Sequence, residues 1–133
     1  MRIFLPAAGF FGCIAIIFSA LGVHDFSHTL PVDHYFNFLV AVSFQLFHSI
    51  VLLALGLFAY TTRRRFYLLI ASGYFFILGI VFFCGDIYLS NLLSLEGMRY
   101  LDPIGGFALI IGWALIFIAG IRYYFHTAHI HDM

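Results

Sequence analysis

The chain has 133 residues, of which 64% are hydrophobic and 9% charged, with a mean hydropathy of +1.07. Soluble domains carry about 25% charged residues, and a chain this short cannot fold so much apolar surface away from water, so composition alone places it in a membrane. Formal net charge is zero and all six basic residues are arginines, which excludes a basic field that would attract nucleic acid.

Four hydrophobic segments follow in chain order, at about 3–23, 36–60, 66–92 and 103–125. Each reaches or exceeds the roughly 20 residues that a helix needs to cross the hydrocarbon core. Lipid offers no partner to backbone N–H and C=O groups, so helices are the expected form, and no alternating strand pattern suggests a barrel. The first segment is long for a signal peptide, lacks a clear small-residue cleavage site and reads as a retained helix. Cys13 and Cys84 both fall inside apolar stretches without disulfide or metal-site spacing and read as buried structural thiols.

The connections are short: "HDFSHTLPVDHY" at 24–35, "TTRRR" at 61–65 and "LSLEGMRYLD" around 93–102. Short loops make successive helices antiparallel. With four spans, Arg2, Arg63, Arg64, Arg65 and Arg122 fall on one side and only Arg99 on the other. The positive-inside rule therefore puts both termini and the arginine turn in the cytoplasm, or in the matrix of an organelle. Asp25, Asp33, Glu96 and Asp102 land outside, and tyrosines cluster near span ends as an aromatic belt. The expected fold is an all-α membrane protein, an antiparallel four-transmembrane-helix bundle in one domain (1–125), followed by a histidine-containing tail (126–133) that frays.

Each span carries one small or polar face. The first has Ala8, Gly12, Ala15, Ser19 and Gly22. The second has Asn37, Ala41, Gln45 and His48. The third has Ser72, Gly79 and Asp86, and the fourth Gly105, Ala108, Gly112 and Ala119. Helices in lipid associate by close packing at small residues and by polar contacts. Those faces are expected to turn inward, which puts Gln45 and His48 among the helices rather than against hydrocarbon, where a polar group costs several kcal/mol.

Four elements in order carry a resemblance: "SALGVHDF" (19–26), "FQLFHSIVLL" (44–53), "GIVFFCGDIY" (79–88) and "DPIGGFALIIGW" (102–113). Together they resemble the small membrane proteins grouped as domain of unknown function 423, whose eukaryotic relatives are called transmembrane protein 256. The resemblance spans about residues 9–120. It implies a four-helix bundle in the bacterial inner membrane, or in mitochondria for eukaryotic members, and carries no activity with it. This chain departs from the pattern at Phe44, where the family has tyrosine, and at Cys84 and Asp86, where it has serines; Asp86 adds an ionisable group.

His24 and His48 match family positions. Together with His28 and Asp86 they form a candidate metal set, because imidazole and carboxylate suit zinc, copper or iron. Two histidines from different helices, His24 and His48 with Gln45 alongside, could instead hold haem. The plain alternative makes Gln45 and His48 an interhelical hydrogen-bond network. Three histidines and two aspartates in "HDFSHTLPVDHYF" could collect a divalent ion, or form a solvated turn with Asp33 capping the second helix. In "DPIGG", Asp102 suits an N-cap and Pro103 the first helical position. Gly105 and Gly106 permit close backbone approach or leave room for a lipid or quinone headgroup. Gly12, Gly79, Gly85 and Gly112 join them as packing positions, with Trp113 filling the bundle interior.

No nucleophile–base pair, phosphate loop or strong metal motif stands out. The reading that follows is a non-catalytic accessory or scaffold subunit of a larger membrane complex, a respiratory one being the first candidate. Its partners would be the bilayer and a membrane protein or further copies of itself. The alternatives are a metal- or haem-binding protein using His24, His48 and Asp86, and an oligomeric proton or small-molecule transporter.

Overall fold

The computed structural model describes residues 2–62, 66–93 and 101–131. Within them the backbone forms four helices long and apolar enough to cross a membrane: α1 (Phe4–Thr29), α2 (Val32–Thr61), α3 (Tyr67–Asn91) and α4 (Leu101–His131, spanning over Leu101–Tyr123). At 1.5 Å per residue, α2 is about 45 Å long and exceeds a hydrocarbon core of about 30 Å.

The helices run past the apolar limits of the sequence. α1 continues through the polar residues from His24 to Thr29, and α2 begins at Val32, leaving only Leu30 and Pro31 between them. The break is dictated by proline. Leu30 is extended (φ −88°, ψ 146°), as the residue before a proline prefers, and Pro31 leads directly into α2. Polar side chains beyond the hydrocarbon do not stop a helix, because water and headgroups solvate them while the backbone bonds persist. Asp33 sits in the first turn of α2, where its charge suits the helix dipole, but α2 has no side-chain cap. At the other end, α4 continues without a break to His131 in place of the frayed tail. The arginine turn and Glu96 and Arg99 lie outside the described residues. Beside that turn, Phe58 and Phe66 pack with ring centroids 5.5 Å apart.

Two helices contain a π-turn, a single widened turn that rotates the following residues relative to a regular helix. One covers Gly22–Phe26 in α1, the other Ile80–Cys84 in α3. In α1, the hydroxyls of Ser27 and Thr29 donate to the carbonyls of Val23 (2.8 Å) and Asp25 (2.9 Å) and support the widened ladder.

α1 packs along α2 and α4 along α3, while α2 and α3 join the two pairs. Three fully buried phenylalanines mark three levels of the core. Phe4 meets Gly73 and Tyr74 of α3 near the chain termini. Phe76 meets His48 and Trp113 midway. Phe38 meets Phe26 and Tyr88 near the α1–α2 connection.

Glycines set the closest approaches. A β-carbon at Gly105 would strike the backbone of Phe83 in the second π-turn, and one at Gly79 would strike Leu109. A β-carbon at Gly112 would lie 2.6 Å from the Phe76 ring. At Gly12 the nearest atom is the Ser49 β-carbon at 3.9 Å, an ordinary contact, and at Gly85 and Gly106 nothing lies within 4 Å. The outward faces are apolar, with Phe10, Ile16, Phe47, Ile50, Phe107 and Phe117 all exposed, as a lipid-facing surface requires.

Candidate functional site

The buried polar groups lie in the bundle interior; Gln45, His48 and Asp86 each join two helices, while Ser49 and Ser72 bond back within their own. On α2, Gln45, His48 and Ser49 fall on the inward face because residues three and four apart share a side. The Gln45 side-chain amide donates to the Phe11 carbonyl of α1 at 2.8 Å, and the Ser49 hydroxyl donates back to the Gln45 carbonyl at 2.6 Å.

His48 joins α2 to α4. The Trp113 indole N–H lies 3.2 Å from His48 Nε2. Indole nitrogen only donates, so Nε2 accepts and carries no proton. The proton is then on Nδ1, which donates to the Phe44 carbonyl at 2.7 Å. Both ring nitrogens of a neutral imidazole are thereby used. Trp113 itself is 39% exposed at the bundle flank rather than filling the interior. Its amphipathic ring presents carbon to lipid and turns the N–H inward, which satisfies both.

Two contacts come from α3. The Cys84 thiol lies 3.3 Å from the Ala41 carbonyl of α2 and donates to it. Asp86, 3% exposed, accepts from the backbone N–H groups of Leu101 at 3.3 Å and Asp102 at 3.2 Å through one carboxylate oxygen. The start of α4 is therefore capped by a side chain of α3. Asp102 lies within the first turn rather than serving as the N-cap, and Pro103 follows it inside the helix. A carboxylate at a helix N-terminus meets unpaired N–H groups and the positive end of the helix dipole. Nearer the α1–α2 connection, His34 Nδ1 and Asn91 Oδ1 approach to 3.2 Å and tie α2 to α3.

The sequence-proposed ligands are thus dispersed. His24 and His28 are exposed on α1, His48 is bonded to Phe44 and Trp113, and Asp86 faces the start of α4. Among the described residues no group of three or more His, Cys, Asp or Glu side chains converges. Among the histidines with described side chains, His24 and His28, four apart on α1, are exposed and make no hydrogen bond. Sequence reasoning missed the Trp113 donor, the Cys84–Ala41 contact and the His34–Asn91 pair, and it expected Cys13 to be buried, whereas only Cys84 of the two thiols is. Trp113 and His48 both stand mid-span, which was the available hint.

This arrangement defines a class: a small four-helix integral membrane protein whose interior polar groups hold its helices to one another. The chain belongs to the family described as protein of unknown function, DUF423, which it matches over residues 18–106. It is 31% identical to the UPF0382 inner membrane protein YgdD of Escherichia coli, with 92% of this chain and 89% of that protein covered. It is 28% identical to the UPF0382 membrane protein SAB0533 of Staphylococcus aureus, with 92% and 98% covered. No solved structure matches. The chain is an inner-membrane protein of the bacterial type.

Proposed function

We propose that this protein is a non-catalytic accessory or scaffold subunit of a larger inner-membrane complex, with both termini and the arginine turn on the cytoplasmic side. One observation carries the reading. Four of the buried polar groups, Gln45, His48, Cys84 and Asp86, are engaged in contacts between helices, while the buried Tyr88 hydroxyl has no hydrogen-bond partner among the described residues. A catalytic or transport site leaves such groups facing substrate, and these face neighbouring backbone or side chains. The apolar exterior supplies the surface that a larger complex would cover.

Extraction of the natively expressed protein in mild detergent, followed by mass analysis of everything that co-purifies, tests this. A stoichiometric membrane-protein partner, respiratory or other, supports the scaffold reading. Recovery of the chain with only lipid and detergent overturns it. Stoichiometric metal or a Soret band lost in His24→Ala would replace it with the cofactor reading. Proton flux in vesicles abolished by Asp86→Asn would replace it with transport.

A further inference from the structure

A groove of about 380 Å³ runs along the outside of the α1–α2 pair. Ala15, Ser19, Ala20 and His24 form one wall, Val42 and Leu46 the other. It lies within the spanning segments and climbs from mid-span towards the α1–α2 connection, because the two helices are antiparallel and Leu46 pairs with the deeper end of α1. The deep part is walled by carbon. The polar groups, Ser19 and His24, are confined to the part nearest the connection, five residues or about 7.5 Å apart along the axis.

Ser19 is unusual among its kind. Ser27, Thr29, Ser43, Ser49, Thr61, Ser72 and Ser90, the other helical serines and threonines among residues 4–91, each donate to a carbonyl three or four residues earlier. Such back-bonding is how a hydroxyl is normally satisfied in a lipid-embedded helix. Ser19 makes no such bond, and neither it nor the exposed His24 has a partner among the described residues. A free hydroxyl donor facing hydrocarbon is costly, so the groove matches a molecule that is apolar along most of its length and accepts hydrogen bonds at one end.

We propose that this groove is a phospholipid site: one acyl chain lies between α1 and α2 against Ala15, Ala20, Val42 and Leu46, and the ester carbonyls of the same lipid accept from Ser19 Oγ–H and the His24 ring. The lipid belongs to the leaflet at the α1–α2 connection, since that is the end where the polar groups stand. The two alanines make the trough, and a larger side chain there would fill it.

The test uses the full-length chain in mild detergent, washed free of bulk lipid, titrated with palmitoyl-oleoyl phosphatidylethanolamine and read by native mass spectrometry. The wild-type protein retains a single phospholipid. Ala20→Phe loses it, Ser19→Ala weakens its retention about fivefold, the worth of one hydrogen bond, and Ala54→Phe, exposed on α2 outside the groove, leaves it unchanged. Ser19→Ala removes one oxygen and decides the matter should Ala20→Phe not fold. A wild-type chain that retains no phospholipid, equal retention in Ser19→Ala and wild type, or a prenylated quinone or a peptide found in the lipid's place would each overturn the proposal.

Discussion

At the scale of single residues, the informative side chains are polar ones in an apolar chain. His48 is held as one tautomer by its two partners, because an indole donor on Nε2 forces the proton onto Nδ1. Trp113→Phe keeps an aromatic ring and removes only the donor. It should lower stability by about 1 kcal/mol, and a double-mutant cycle with His48→Leu in thermal unfolding should return a coupling of that size. A coupling of zero would mean the contact carries no energy. Asp86 makes a sharper case. Asp86→Ala leaves two N–H groups at the start of α4 without their acceptor and should cost about 1–2 kcal/mol. Asp86→Asn keeps an acceptor oxygen and should cost less, since only the charge–dipole contribution goes. Hydrogen exchange at the Leu101 and Asp102 amides should quicken in the same order.

At the scale of helices, two adjacent glycines give opposite predictions. Gly105 faces the Phe83 backbone so closely that a methyl group must displace α4 from α3, whereas Gly106 faces open space. Gly105→Ala should destabilise the protein by about 1–3 kcal/mol through overpacking. Gly106→Ala should be neutral or stabilise by up to about 1 kcal/mol, because alanine restricts the unfolded chain and suits a helix better. Thermal midpoints in one detergent compare the two directly, and equal midpoints would refute the α3–α4 contact described here. The sequence gives no hint of this difference, since "DPIGG" presents the pair as equivalents. The π-turn at Ile80–Cys84 helps to set it, by bringing Phe83 backbone against Gly105. Its counterpart in α1 carries His24 on the widened turn, so a straight-helix reading of facing residues holds only up to that point.

At the scale of the whole molecule, three interior contacts close a circuit, His48 of α2 to α4, Asp86 of α3 to α4 and Cys84 of α3 to α2, and a fourth, Gln45 of α2, ties α1 to it. Interhelical polar contacts in membranes are worth about 1 kcal/mol each. Their greater effect here is on register, because each bond is made at only one axial offset between its helices. The proposed topology predicts that a cysteine at Arg64 and a tag at the carboxyl end react from the same face of sealed inside-out vesicles. Accessibility from opposite faces would remove the even number of spans.

The sequence by itself determined the solvent, the number of spans and the inward faces, because hydrophobic length and the three–four spacing of small and polar residues are local properties of one helix. It found Gln45, His48 and Asp86 as the residues to explain. It could not say what they touch. A hydrogen bond from Gln45 to Phe11, from Trp113 to His48, or from the start of α4 to Asp86 depends on the axial offset and rotation of whole helices against one another. That offset comes from packing: phenylalanine rings seated on distant glycines, proline ending α1 at one residue, and two widened turns that reset the faces above them. Only the tertiary structure fixes these, because each is a relation between segments that no single segment encodes.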